Sequence, residues 1–315
     1  MLLMRFMSLF QNPVRGTRGQ LDPIGHKMTT PRISFEFFPP QNLEASFRLW
    51  DTVQTLAPLD PRFVSVTYGA GGTTRDLTRD AVATLHKSSG LRVAAHLTCV
   101  EASKAETLEI AAGFAKVGVS DIVALRGDPP KGSDGFRPHP EGFASSVELI
   151  EALSDAGDFN IRVGAYPDTH PEAANSAADI DWLKAKIDAG ASEALTQFFF
   201  EADTFFRFRD DCAKAGINAP IIPGILPIEN WKGARNFAKR CGTDIPAWLD
   251  DAFEKAARDD RQDLLATAIC TELCSELIDG GVEDLHFYTL NRPELTRDVC
   301  HALGVTPRIQ LENVA

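Results

Sequence analysis

Short runs rich in β-branched and aromatic residues alternate along the chain with longer stretches whose apolar residues recur at helical spacing. The short runs predict β-strands and the longer stretches predict helices, so the chain consists of repeated βα units, which build a parallel sheet. The predicted strands cover residues 33–38, 63–67, 93–99, 121–125, 161–166, 194–199, 221–225 and 284–288. Eight strands in this order predict an α/β protein, a single-domain (β/α)8 TIM barrel.

Turn and helix signals agree with this barrel. Left-handed C-caps are expected at the glycines that follow three helical stretches, Gly118, Gly190 and Gly216. The segment 229–281, between the last two strands, is long enough for two or three helices. We expect residues 32–315 to form the barrel. Residues 1–31 are expected to be an N-terminal extension, of which residues 1–27 are either disordered or precede a true start at Met28.

Composition narrows the classes of function. The 315 residues are 44% hydrophobic, which is enough for a large core. Lys and Arg total 32 against 44 Asp and Glu, so nucleic acid is not an expected partner. No apolar run approaches the roughly 18 residues that span a bilayer, so we expect no membrane partner. The six cysteines form no CxxC pair, which predicts neither a metal site nor a disulfide framework and fits a reducing cytoplasm.

The first predicted strand carries a candidate catalytic acid. Glu36 stands among phenylalanines in the run FEFFPP at residues 35–40. Desolvation by these rings would raise the pKa of Glu36, which suits a general acid near neutral pH. The plain alternative is a strand residue that faces solvent. Because two prolines end the strand at once, Glu36 is expected near the mouth of the barrel, where such folds have their active sites.

Three further strand ends carry polar residues that are ambiguous when taken singly. The run TYGAGGTT at residues 67–74 leads into a helix and could bind an anion, but a tight turn capped by Thr73 or Thr74 is the alternative. A lone His96 is more often a satisfied core residue than a catalyst. At the end of the fourth strand, Arg126 and Asp128 could equally form a structural ion pair.

The strand ends are more informative as a set. Polar and aromatic residues also occur at 166–171, 196–200 and 286–292, so acids, amides, a cation and aromatic rings gather at one end of the barrel. The chain has no G-x-S-x-G elbow, no phosphate-binding P-loop and no strand-end lysine for a Schiff base. One buried acid with amides and many aromatic rings favours a flat conjugated ligand.

Seven ordered segments resemble the motif set of the bacterial methylenetetrahydrofolate reductases: 35–40, 65–72, 125–128, 166–173, 196–200, 222–227 and 286–292. The resemblance implies a barrel that holds FAD, takes hydride from NADH or NADPH and reduces 5,10-methylenetetrahydrofolate in a ping-pong reaction. The product, 5-methyltetrahydrofolate, would supply methyl groups for methionine synthesis. We expect small-molecule partners, a homo-oligomer and no C-terminal regulatory domain responsive to S-adenosylmethionine.

The resemblance also implies roles for individual residues. Glu36 resembles the general acid, and Asp128 resembles a residue between flavin and pterin that acts in catalysis and contacts the cofactor. Gln197 and Arg292 resemble folate ligands, and Phe237 resembles a ring that stacks on either substrate. Thr67 resembles a contact for the nicotinamide nucleotide. The remaining implied FAD contacts are Tyr68, Ala70, His96, Arg126, Gly127, Ala144, Tyr166, His170, Ala173, Asp179 and Lys186.

Three positions depart from the family pattern. Trp182 stands where asparagine is expected and Ala185 where arginine is expected, so we expect weaker polar contacts to the phosphates or adenosine of FAD. Gly233 stands where a glutamine would contact folate. Two rival functions remain open: a pterin-binding barrel methyltransferase without flavin, and a folate- or flavin-binding paralogue without turnover.

Overall fold

A parallel sheet that curls into a barrel forms the centre of the protein, in a computed structural model that describes residues 30–68, 75–128, 132 and 135–307. The strands are β1 (Arg32–Phe37), β2 (Val64–Val66), β3 (Val93–Thr98), β4 (Asp121–Leu125), β5 (Asn160–Ala165), β6 (Glu193–Thr196), β7 (Ile221–Ile222), β8 (Gly224–Ile225) and β9 (Asp284–Tyr288). The helices are α1 (Leu43–Leu56), α2 (Arg75–Ser89), α3 (Lys104–Lys116), α4 (Ser146–Ala156), α5 (Ser176–Asp188), α6 (Ala202–Lys214), α7 (Trp231–Cys241), α8 (Ala247–Arg258), α9 (Gln262–Asp279) and α10 (Pro293–Ala302). The predicted α/β barrel is confirmed. The expectation for residues 1–31 lies outside the described residues, apart from the last two positions.

The seventh predicted strand, 221–225, is divided in two by Pro223. Proline has no N–H to give to a β-ladder, so β7 pairs with β6 while β8 pairs with β9. The Pro223 carbonyl accepts a hydrogen bond from the His286 N–H at 3.0 Å. A Cβ on Gly224 would lie 2.1 Å from the Thr196 carbonyl oxygen, so only glycine fits there. The two halves of this segment connect the edges of the sheet and complete the barrel.

The helix ends follow the sequence signals. Gly118, Gly190 and Gly216 have φ values of +89°, +121° and +78°, which confirms the expected left-handed C-caps. The segment 229–281 contains α7, α8 and α9, within the predicted number of helices. Within the described ranges, no helix is both long and apolar enough to cross a bilayer.

Side chains along each strand alternate between the surrounding helices and the barrel interior. In β1, Ile33, Phe35 and Phe37 belong to the main core beneath the helices. Ser34 and Glu36 have the opposite parity and point into the barrel, where their hydrogen-bonding and ionic partners lie. A small apolar cluster fills the middle of the interior: Phe63, Ala94, Val123, Leu195 and Ile222. The polar interior residues therefore divide into a group below this cluster and a group above it.

A buried ion network closes the N-terminal end of the barrel interior. Arg162, with a side chain only 1% exposed, donates to Asp121 Oδ1 at 2.6 Å and contacts the Glu193 carboxylate. Its guanidinium carbon lies 3.9 Å from the ring centroid of Phe63. Glu193 also pairs with Arg62. Because a buried charge without its partner is strongly destabilising, these residues depend on one another.

Replacing Arg162 tests this network. Arg162→Met should lower the free energy of unfolding by about 3–5 kcal/mol, because Asp121 and Glu193 would lose a buried cation. Urea denaturation followed by circular dichroism measures the loss. As a control, Arg48→Met removes an exposed pair with Glu44 and should cost at most about 1 kcal/mol. Equal losses in the two variants would contradict a special role for the buried network.

Candidate active site

Two adjoining cavities open at the C-terminal ends of the strands, the end where barrels of this class have their active sites. The mouth cavity has a volume of about 470 Å³ and the side cavity about 460 Å³. They share a wall formed by Tyr68, Leu125, Asp128, Gly164 and Tyr166. The mouth cavity is also lined by Glu36, Phe38, Pro39, Gln41, Thr67, His96, Val123, Ala165, Leu195, Gln197, Phe237, Tyr288 and Leu290. The side cavity is also lined by Thr98, Val100, Ala124, Arg126, Gly127, Ser146, His170, Glu172, Ala173, Ala178, Asp179, Trp182 and Lys186.

Glu36 lies at the base of the mouth cavity, facing two imidazoles. Its Oε2 is 3.3 Å from His96 Nε2 and 3.9 Å from His286 Nε2. Neither nitrogen has a well-aligned hydrogen-bond partner among the described residues. On the far side of the second ring, His286 Nδ1 lies 2.8 Å from the Ser34 hydroxyl. The carboxylate and imidazoles form a compact cluster, the Glu36 cluster, that can hold and exchange a proton.

The prediction that the pKa of Glu36 is raised was wrong. Phe35 and Phe37 face the helices, so the rings next to Glu36 in sequence lie on the other side of the strand. Burial raises the pKa of Glu36, but the imidazoles of His286 and His96 lower it by more, and the pKa falls to about 2. Glu36 is therefore ionised in the free protein at neutral pH.

Asp128 lies on the wall between the two cavities, after β4. Arg126 and Asp128 do not form the structural ion pair that was the alternative. Arg126 pairs instead with Glu172, with Nη2 and Oε1 3.0 Å apart. Gly127 has a φ of +87°, and a Cβ there would lie 2.6 Å from Val100 Cγ2. This glycine turns the chain tightly at the strand end, and the next residue, Asp128, borders both cavities.

The side cavity extends from this wall to α5. Tyr166 packs edge-on against His170, with ring centroids 4.6 Å apart. The backbone N–H of His170 donates to Asp179 Oδ2 at 2.7 Å. Lys186 donates to the Gly164 carbonyl at 2.9 Å, and burial lowers the pKa of Lys186 to about 8. The cavity thus offers cationic, aromatic and hydrogen-bonding groups to one ligand.

The predicted substrate residues Gln197 and Phe237 both line the mouth cavity. Phe237 stacks on Phe198, with centroids 5.2 Å apart and planes 29° apart. Gln197 Oε1 accepts a hydrogen bond from the Phe198 N–H at 3.0 Å, which leaves the amide NH2 of Gln197 for a ligand. An aromatic ring and an amide therefore line the same cavity as Glu36.

Two predicted site residues, Arg292 and Ala144, line neither cavity. Arg292 is exposed and donates to Glu229 Oε2 at 3.0 Å. Ala144 is exposed, and its N–H donates to Glu148 at 3.3 Å. Their implied ligand contacts gain no support from these positions. Ala70 lies outside the described residues, while the other predicted site residues line one cavity or both.

Three residues of the barrel interior belong to the site but were not predicted from the sequence. Ser34 and His286 complete the Glu36 cluster, and Tyr288 lines the mouth cavity while donating to the Thr196 carbonyl at 2.6 Å. The signal that could have found them is the two-residue period of a strand. Ser34 shares the face of Glu36, and His286 shares the face of Tyr288.

Comparison with known proteins gives a consistent family. The family model for methylenetetrahydrofolate reductase matches residues 24–304. The 5,10-methylenetetrahydrofolate reductases of Salmonella typhimurium and Escherichia coli are each 45% identical over 276 residues, covering 87% of this chain and 91% of theirs. That of Pectobacterium carotovorum subsp. carotovorum is 42% identical over 278 residues, covering 88% and 91%.

A solved structure has the same fold. It is an uncharacterised protein from Clostridium thermocellum that binds two copies of 5-methyl-5,6,7,8-tetrahydrofolic acid. The likeness has a TM-score of 0.57 at 15% identity and covers 88% of this chain and 95% of that chain. At this identity the comparison supports the barrel architecture alone.

Removing one imidazole tests the electrostatics of the Glu36 cluster. In His286→Phe the burial of Glu36 stays while one of the groups that lower its pKa is lost, so the pKa of Glu36 should rise above about 2. Infrared spectroscopy of protein with labelled glutamate, titrated with acid, follows the protonated carboxyl band. His301→Phe, which removes an exposed imidazole on α10, is the control and should leave that band unchanged. An unshifted titration in His286→Phe would contradict the assignment.

Proposed function

The chain belongs to the methylenetetrahydrofolate reductase family, and on that premise we propose that it reduces 5,10-methylenetetrahydrofolate to 5-methyltetrahydrofolate with NADH or NADPH through bound FAD. The observation that carries the proposal is the position of Glu36. It lines the mouth cavity together with Gln197 and Phe237, and that cavity shares a wall with a second cavity suited to a cofactor.

The donor set of the side cavity supports FAD. Lys186 and Arg126, the latter paired with Glu172, are the cations of this cavity that could contact a diphosphate. Thr98 Oγ1 is buried there without a hydrogen-bond partner among the described residues. The residues that would hold FAD are Tyr68, His96, Arg126, Gly127, Asp128, Tyr166, His170, Ala173, Asp179 and Lys186. When bound, FAD would supply hydride-transfer chemistry between the nicotinamide nucleotide and the folate.

Glu36 acts on the folate. Reduction requires the five-membered ring of methylenetetrahydrofolate to open to an iminium ion, and the leaving nitrogen needs a proton. Because Glu36 is ionised in the free protein, a proton from solvent has to enter the Glu36 cluster. Folate binding favours this step, since displacing water from beside a carboxylate raises its pKa.

The size of the mouth cavity supports a ping-pong order of reaction. Glu36, Gln197 and Phe237 line one space of about 470 Å³, so a nicotinamide nucleotide and a folate would compete for it. Each substrate would therefore bind after the other has left.

The six free thiols, most of them buried, also support a reducing, cytoplasmic setting.

Anaerobic stopped-flow absorbance tests the proposal. Purified protein should be yellow, NADH or NADPH should bleach the flavin band, and methylenetetrahydrofolate should restore it in a separate step. Steady-state double-reciprocal plots should be parallel, as a ping-pong reaction requires. A colourless protein that transfers a methyl group would indicate the rival methyltransferase. Flavin that is reduced but never reoxidised by folate would indicate a paralogue without turnover.

Glu36→Gln should separate the two half-reactions. The amide keeps the size of the side chain but cannot deliver a proton, so reoxidation by methylenetetrahydrofolate should slow by about 10²–10⁴-fold. Flavin reduction by NADH or NADPH needs no proton from Glu36 and should stay near the normal rate. Glu229→Gln, outside both cavities, is the control and should change neither step. Loss of flavin reduction with normal reoxidation would contradict the assigned role.

A further inference from the structure

An exposed tryptophan borders the side cavity. Trp182 is 44% exposed, and among the described residues it is the one large exposed hydrophobic side chain that lines this cavity. Leaving so much of an indole in water forgoes the favourable free energy of burying it.

The spacing along α5 gives Trp182 polar neighbours. Asp179, Trp182 and Lys186 are three and four residues apart, so they lie on one face of the helix, which forms the wall of the side cavity. Ala185 stands where the family resemblance implies an arginine, and it does not line the cavity. Trp182 is the residue of this turn that can add new contact area to a ligand.

The arrangement of the two cavities indicates which part of FAD reaches Trp182, given the proposed function on which this inference rests. The hydride-carrying ring has to be accessible from the mouth cavity, because Glu36 and the folate site are there. The cations that suit the diphosphate, Arg126 and Lys186, line the side cavity only. The adenosine end is left for the outer part of the side cavity, where Trp182 stands.

We propose that Trp182 is a stacking platform for the adenine of FAD. Nucleobases stack favourably on aromatic side chains. The adenine would cover the exposed face of the indole, while Asp179 and Lys186 on either side keep the helix face polar.

Ligand binding to the flavin-free full-length chain tests the platform. Equilibrium dialysis would be run with FAD, with FMN, which lacks the adenosine, and with ADP, which lacks the flavin ring. Trp182→Ala should weaken FAD and ADP binding by about 10-fold or more and change FMN binding by less than about twofold. Trp182→Phe should recover most of the loss, because a phenyl ring also stacks.

Trp248 provides a matched control. It is 46% exposed and lines neither cavity, so Trp248→Ala should leave all three affinities unchanged. Tryptophan fluorescence gives a second readout: ADP should quench emission in the wild type and in Trp248→Phe, and much less in Trp182→Phe.

The outcomes separate the platform from the proposed function. If the wild type binds FAD and Trp182→Ala binds it equally well, the platform is wrong and the proposed function stands. Equal losses for FAD and FMN would also overturn the platform, because they would mean that Trp182 contacts the flavin half. If the wild type binds neither FAD nor FMN, the proposed function itself fails, and the platform with it.

Discussion

The alternation of side chains along the barrel strands is the constraint on which the rest of the structure depends. It sends Phe35 and Phe37 to the helices and leaves Ser34 and Glu36 inside. A one-residue shift in the register of β1 would reverse both sets. The same rule applied to β9 brings His286 to the Glu36 carboxylate.

Buried polar groups have ionic partners at one end of the barrel interior and lack aligned partners at the other. At the N-terminal end, Arg162 is neutralised by Asp121 and Glu193, so the buried charge is compensated and serves to hold the strands together. At the mouth, the Nε2 atoms of His96 and His286 lack aligned partners among the described residues. Unsatisfied buried groups are costly unless a ligand completes them, which favours a binding role at this end.

The wall between the cavities links binding to chemistry. Asp128 and Tyr166 border both spaces, so a ligand in the side cavity and a substrate in the mouth cavity would meet there. Trp182 lines the side cavity alone, where we propose that it contacts a cofactor, whereas Glu36 lines the mouth cavity alone, where we propose that it transfers a proton. The residue proposed for cofactor binding and the residue proposed for proton transfer therefore lie on different elements, α5 and β1.

Local patterns determined the architecture and much of the site. Strand and helix periodicity, together with C-cap glycines such as Gly118, gave the barrel, because these signals depend on neighbours in sequence. Motif resemblance identified Glu36, Asp128 and Gln197, which do line the cavities. Only the tertiary structure decided the pKa of Glu36, since the imidazoles that lower it come from other strands. It also decided that Arg292 pairs with Glu229 outside the cavities, because the direction of a long side chain depends on partners distant in sequence.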